Sequence, residues 1–353
     1  MHARSKFGTL LVGSLVSLIT GTLGCAEAPD CATCDLGPTE ARLYKLHEEV
    51  QPYYQDIGQH GTFAGVDGVA IAHTTFRHTD ARAAIVFAPG RSEGSHTFME
   101  LFYDLRDKPY DIFVIDHRGQ GASGRMLPDR LKGHVENFAD YVTDYDTFVR
   151  DVVHPERYDQ VFAVAHSMGG AITLAYTAQH PDTFDALVLS APMLQIDMGP
   201  LSEAAALSYA ASVAPDETIP LGGDGTTDTE FAGNYLTTNP AGLAVLNEVD
   251  NMYPARRLGR ATYRWVAESI QATQALRMQP ERIKPPIMLF QAANDAIVVP
   301  AAQTLFCAQA PQCELVPIAN ARHELFYADD SVRTNLLAQM FAFMRQHSGQ
   351  PPL

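Results

Sequence analysis

The sequence predicts an α/β fold: a mostly parallel central sheet flanked by helices, with a helical cap insertion late in the chain. Three observations carry that prediction. Short, continuous apolar runs recur at Ala83–Ala88, Asp111–Asp116, Val161–Ala165, Ala186–Ser190 and Ile287–Ala293, the pattern of strands buried on both faces. Helix-length segments separate these runs, and alternating strands and helices build parallel sheets with right-handed crossovers. From about Met193 to Lys284 the apolar runs stop, which marks an insertion.

The chain begins with a short basic start, Arg4 and Lys6, then an uncharged apolar stretch and small residues before Cys25. This is the pattern of a secretory signal over 1–24, with no stop-transfer anchor after it. Thr22-Leu-Gly-Cys25 is similar to a bacterial lipobox, which would place a lipid on Cys25. The competing site, Ala26-Glu-Ala28, is followed by Pro29, so the lipoprotein reading is preferred. An exported envelope lipoprotein, membrane-associated through its N-terminal lipid, is therefore expected; a periplasmic or secreted soluble form is the alternative. Residues 25–40 read as a linker, 41–192 as the first part of the core, 193–284 as the cap, and 285–353 as the second part of the core.

Five cysteines fit export. With Cys25 lipidated, Cys31 and Cys34 form one candidate disulfide and Cys307 and Cys313 another. A single Cys-x-x-Cys does not build a zinc site, and neither metal nor organic cofactor is implied. The formal charge of −16 argues against nucleic acid as a partner, because phosphate binding needs concentrated positive charge.

Within the body, Ala41–Gln51 reads as an amphipathic helix. Gly61–Gly65 and Val69–Phe76 read as a hairpin around Asp67-Gly68. Thr97–Asp107 and Asn137–Val153 read as helices. The loop His117–Arg125 is glycine-rich and is read as architecture, with Asp116 and Arg118 paired structurally. Inside the insertion, Leu201–Val213 and Asn251–Thr273 are helical regions around a Gly/Asp/Thr loop at 222–229. Cys313–Pro317 is the last strand, and Val332–His347 the closing helix with the stripe Leu336, Met340 and Met344.

The chemistry centres on Val161-Phe-Ala-Val-Ala165-His166-Ser167-Met168-Gly169-Gly170. A buried strand stops at small residues, turns at a serine and enters a helix, which is the context of a G-x-S-x-G nucleophile elbow with Ala165 in the first glycine position. A serine hydroxyl needs a base to take its proton during attack, and a helix N-terminus supplies N–H groups to an oxyanion. Met168 N–H is one candidate donor. Arg91 N–H, in the loop after the Ala83–Ala88 strand, is the other.

The sequence holds thirteen histidines. His117 and His134 lie on earlier loops, His166 adjoins the serine and should point away from it, and His347 is in the tail. His323 alone follows a final strand and precedes a final helix, so it is the expected base. Asp295, just past the end of the Ile287–Ala293 strand, is the expected acid, with Asp197 as alternative. Ser167, Asp295 and His323 would meet at the carboxyl edge of the sheet, where such sheets bind ligands.

Three stretches extend this pattern: Asp116-His-Arg-Gly-Gln-Gly121-x-Ser-Gly-Arg125, Gly133-His-Val-Glu-Asn-Phe-x-Asp-Tyr141, and His166-Ser-Met-Gly-Gly170. Together they resemble the lysophospholipase L2 branch of the α/β-hydrolases; monoacylglycerol lipases and serine-aminopeptidase-like hydrolases are similar. From about Phe63 onward, the resemblance implies an α/β-hydrolase fold with a helical cap. It implies hydrolysis of single-chain lipid esters, with Ser167, Asp295 and His323 as the triad. Monoacylglycerol lipase or general carboxylesterase activity is the nearest alternative, peptidase activity a more distant one. A surface lipoprotein that binds lipid without turnover is the non-enzymatic alternative.

Overall fold

The computed structural model describes residues 36–348; the signal segment, Cys25, Cys31 and Cys34 lie outside the described residues. The chain enters through α1 (Pro38–Lys45), a wider π-helical turn at Leu46–Val50, and α2 (Gln51–Asp56). The expected helix is thus longer than its amphipathic stretch. Leu46, Val50 and Tyr54 are the residues it buries.

β1 (Gln59–Ala64) and β2 (Ala70–Phe76) form the antiparallel hairpin. Asp67 (φ 55°) and Gly68 (φ 74°) take left-handed backbone at its turn, which an Asp-Gly pair accepts at low cost. The remaining strands are β3 (Ala83–Ala88), β4 (Tyr110–Ile115), β5 (Gln160–His166), β6 (Ala186–Ser190), β7 (Ile287–Ala292) and β8 (Cys313–Ile318). They form one eight-stranded sheet in the order β1-β2-β4-β3-β5-β6-β7-β8. β2 runs antiparallel to β1 and β4; all other pairs are parallel.

The centre of the sheet, β3 to β7, is apolar on both faces, with a period of two. Ala84, Val86, Ala88, Ala163, Ala165, Leu187 and Leu189 face one cluster; Ile85, Phe87, Phe162, Val164, Ala186 and Val188 face the other. The second face is covered by α1, α2, α3 (Met99–Leu105) and the closing helix. The first is covered by α4 (Phe138–Phe148), which ends in a π-helical turn at Val149–Val153, and by α5 (Ser167–Thr177). Each fully buried Val or Phe on these strands contributes about 2 kcal/mol, so the continuous apolar runs are strongly specified.

The insertion carries α6 (Glu203–Ala210), α7 (Pro240–Met252) and α8 (Tyr263–Met278). The expected helical region at Asn251–Thr273 is instead split. α7 stops at Met252 before Pro254, and α8 starts where the Thr262 hydroxyl accepts the Trp265 N–H at 3.2 Å. α7 itself escapes a reading by apolar periodicity. Its start is set by Asn239, which caps the Ala241 N–H at 3.1 Å, and by Pro240 at the first helical position. α6 is shorter than expected: Ser202 caps its start, and it ends at Ala210.

α9 (Pro300–Gln309) leads into β8, and α10 (Asp330–Gln346) closes the fold with Leu336, Met340 and Met344 fully buried. A disulfide joins Cys307 on α9 to Cys313 on β8, with Cα atoms 5.2 Å apart, inside the range a disulfide requires. Closing so short a loop restricts the unfolded chain modestly. The double variant Cys307→Ser/Cys313→Ser should lose about 2 kcal/mol, read as a lower denaturant midpoint under non-reducing conditions.

Candidate active site

The last residue of β5 passes directly into α5 at Ser167, which takes φ 50°. A non-glycine residue held there marks a sharp turn that only its surroundings sustain. Those surroundings are small by necessity. A Cβ on Gly169 would sit 2.1 Å from the Ala88 carbonyl oxygen, and one on Gly170 would sit 2.7 Å from Pro192 Cβ. Ala165 is fully buried and pairs with Ala88 and Leu189, so the alanine in place of glycine is accommodated within the sheet.

The structure brings the three distant residues together at one sheet edge. His323 Nε2 lies 2.8 Å from Ser167 Oγ, and His323 Nδ1 lies 2.7 Å from Asp295 Oδ2. A carboxylate can only accept, so Nδ1 carries the ring hydrogen and Nε2 is left to accept from the serine. Asp295 is held by its own loop: Oδ1 accepts the N–H groups of Ile297 (2.9 Å) and Val298 (3.1 Å). Asn294 N–H donates to the Ala321 carbonyl at 2.9 Å, tying the end of β7 to the loop that carries His323. Ser167 is 6% exposed and His323 3%, so the site is largely dry.

The rival residues are elsewhere. Asp197 is exposed and bonds the Gly199 N–H at 2.8 Å. Burial pushes His117 down to about 3, and its ring packs edge-on to Tyr141. His134 bonds Thr262 at 2.9 Å, and His347 packs on Phe343. His166, expected to point away from Ser167, has its ring centroid 4.7 Å from that of His323. Adjacent residues at a tight turn diverge at Cα, yet both rings converge where the loop carrying His323 folds back.

Asp116 and Arg118 are structural but are not partners of each other, which corrects the expected pairing. Arg118 forms a two-point contact with Asp144 of α4 (2.6 and 2.9 Å), while Asp116 accepts N–H groups from Ser95 and Ala122. Gly119 (φ 79°) and Gly121 (φ 54°) take left-handed backbone in the loop that follows Arg118.

Met168 lies in the first turn of α5, where N–H groups have no acceptor within the helix. The Arg91 side chain leaves the site: its guanidinium donates to the Gly259 carbonyl and stacks 5.1 Å from the Trp265 ring centroid. Two residues that pattern reasoning missed hold this loop. Gln120 Nε2 donates to the carbonyls of Gly90 (2.6 Å) and Glu93 (2.7 Å), and the Glu93 carboxylate accepts the Gly90 N–H. The insertion grips the opposite loop: Glu324 N–H donates to Leu236 O (2.8 Å), and Arg322 to Thr237 O (3.2 Å).

Among the described residues, His166, His323 and Glu324 are the grouping with the donor types of a metal site, their donor atoms lying within 4.8 Å of one another. Both ring nitrogens of His323 are already engaged with Ser167 and Asp295. A separate cleft of about 590 Å³, lined by Pro155, Tyr158, Gln160, His180 and Asp185, opens at the opposite end of β5 and does not adjoin Ser167.

The family model for serine aminopeptidase, S33, matches residues 79–330. The chain belongs to the serine aminopeptidase S33 family of α/β-hydrolases. Within that family it is 32% identical over 296 residues to lysophospholipase L2 of Escherichia coli (strain K12), covering 81% of this chain and 87% of that protein. A monoacylglycerol lipase of Mycolicibacterium smegmatis is 30% identical over 139 residues, 39% of this chain and 48% of that one. A carboxyl esterase from Bacillus coagulans shares the fold with TM-score 0.68 at 16% identity, covering 82% of this chain and 99% of the esterase. A Saccharomyces cerevisiae monoglyceride lipase does so with TM-score 0.63 at 22% identity, covering 82% and 96%. This S33 member is a serine ester hydrolase of the lipase and esterase kind.

Proposed function

We propose that the protein hydrolyses carboxylic esters of single-chain lipids, as a lysophospholipase, through a Ser167–His323–Asp295 triad and an acyl-enzyme. The observation that carries this reading is the unbroken pair of hydrogen bonds from Asp295 through His323 to Ser167. Ser167 Oγ attacks the ester carbonyl carbon as its proton passes to His323 Nε2. The carbonyl oxygen, now negative, is received by the N–H groups of Arg91 and Met168. The ester C–O bond then breaks, and His323 returns the proton to the departing alcohol oxygen. Water attacks the acyl-enzyme with His323 again as base, which releases the fatty acid and restores the serine. Asp295 holds the imidazole in the required tautomer and offsets its charge.

The similarity to lysophospholipase L2 along 87% of that protein supports the lysophospholipid substrate. Monoacylglycerol is the second reading, favoured by the M. smegmatis lipase. A panel of lysophospholipids, monoacylglycerols and short acyl esters, each with a Ser167→Ala control, separates them. Faster turnover of monoacylglycerol than of any lysophospholipid would overturn the first.

The leader pattern supports export, with a lipid on Cys25. The wild type should then fractionate with membranes and Cys25→Ser with the soluble fraction. A soluble wild type with an unmodified Cys25 would refute the anchor.

A further inference from the structure

Beside the triad lies a second set of buried ionisable groups that the mechanism above leaves unused. Glu93 comes from the loop after β3, His166 from the last position of β5, and Glu324 follows His323; all three are buried. His166 Nδ1 lies 3.1 Å from the Ser190 carbonyl oxygen, an atom that only accepts, so this nitrogen carries a hydrogen. His166 Nε2 therefore faces two carboxylates, with Glu324 Oε1 at 3.3 Å and Glu93 Oε1 at 3.9 Å.

Two ionised carboxylates buried beside one ring nitrogen repel each other, so one of them keeps its proton. Burial, and then the charge of Glu324, push the Glu93 carboxyl well above the ordinary carboxylate range. Burial also acts to raise Glu324, but His166 and, after it, His323 outweigh that and hold it below its ordinary value. Glu93 Oε2 accepts the Gly90 N–H, which leaves Oε1, 3.9 Å from His166 Nε2, to carry the proton.

We propose that Glu93 and Glu324 share one negative charge, resident on Glu324, and that Glu324 is a positioning residue stabilising the imidazolium of His323 alongside Asp295. Three observations place it there. Glu324, His166 and His323 have donor atoms within 4.8 Å of one another, the two rings are 4.7 Å apart, and the Glu324 backbone is bonded to Leu236 of the insertion. The ionisable groups facing His323 are Asp295 after β7, His166 at the end of β5, and Glu324 itself. Glu93 stands behind Glu324, and Asp250 of α7 acts on Glu93 from farther away. Arg322, the chain neighbour of His323, is turned to the Thr237 carbonyl.

This inference rests on the serine-hydrolase reading, and its sign is definite. A negative charge beside His323 favours the cationic ring formed during turnover, so removing it disfavours that form. Glu324→Gln should move the acid limb of the kcat/KM profile for a short acyl ester down by about one pH unit. It should also lower kcat about tenfold, with KM unchanged. Glu93→Gln mimics the protonated carboxyl and should keep the acid limb of the wild type. An unmoved limb in Glu324→Gln, or an equal shift in Glu93→Gln, would overturn the proposal.

A second measurement needs no turnover and no folded Glu324→Gln. The infrared difference between wild type and Glu93→Gln at pH 7 should show one protonated-carboxyl stretch present in the wild type alone. Its absence would overturn the shared proton. Loss of the serine-hydrolase reading would instead appear as ester turnover that survives Ser167→Ala.

Discussion

Ser167→Ala should lower turnover of a short acyl ester by about five orders of magnitude and abolish labelling by a fluorophosphonate. The change removes one oxygen from a residue 6% exposed, the atom 2.8 Å from His323 Nε2. Nothing else in the site has to move. The φ of 50° at this position is borne as readily by alanine as by serine, so the thermal midpoint should stay near that of the wild type. Residual activity would come from the proposed oxyanion donors, the N–H groups of Arg91 and Met168, which would polarise the ester carbonyl for slow attack by water. Wild-type turnover in a folded Ser167→Ala variant would remove the serine from the reaction, and with it the triad.

Asp295→Asn should cost about 10⁴-fold in kcat, with little change in KM. The amide keeps one oxygen for the N–H groups of Ile297 and Val298, so the loop after β7 holds its shape. At the other position, an NH2 group meets His323 Nδ1 where a carboxylate had accepted from it at 2.7 Å. The ring then prefers the tautomer with its hydrogen on Nε2, which faces Ser167 and has no lone pair to receive the hydroxyl proton. Loss of the negative charge also removes support for the imidazolium. Asp197→Asn is the matched control. The Asp197 side chain is exposed and accepts the Gly199 N–H, and its backbone bond to Ile297 is kept in the variant, so that variant should turn over like the wild type. Equal losses in the two variants would point to a general loss of folding instead of a specific role for Asp295.

The central strands β3 to β7 were legible because each one buries both faces. A run such as Ala83–Ala88 has no polar alternation to confuse with a surface strand, and its two faces divide cleanly between the two apolar clusters. The elbow was legible for a steric reason. Gly169 and Gly170 pack against Ala88 and Pro192 so tightly that no larger residue fits, and small residues flanking a serine are visible in one dimension. The insertion was harder to read. Its helices carry fewer apolar residues, and α7 and α8 are delimited by Asn239, Pro240, Pro254 and Thr262 more than by hydrophobic periodicity.

Residue order and local pattern were thus enough for the parallel sheet and for the three residues at strand ends, Ser167, Asp295 and His323, that the fold brings within hydrogen-bond reach. Those features depend on backbone geometry and burial over a few consecutive residues. The positions of Glu93, Gln120, His166 and Glu324 around the site depended on folding. A buried glutamate in one loop and a glutamate beside the base have no shared period or spacing that links them in the chain. They become one charged unit only when β3, β5 and the loop after β8 end at the same edge of the sheet, where lost solvation makes each carboxylate's proton depend on its neighbour.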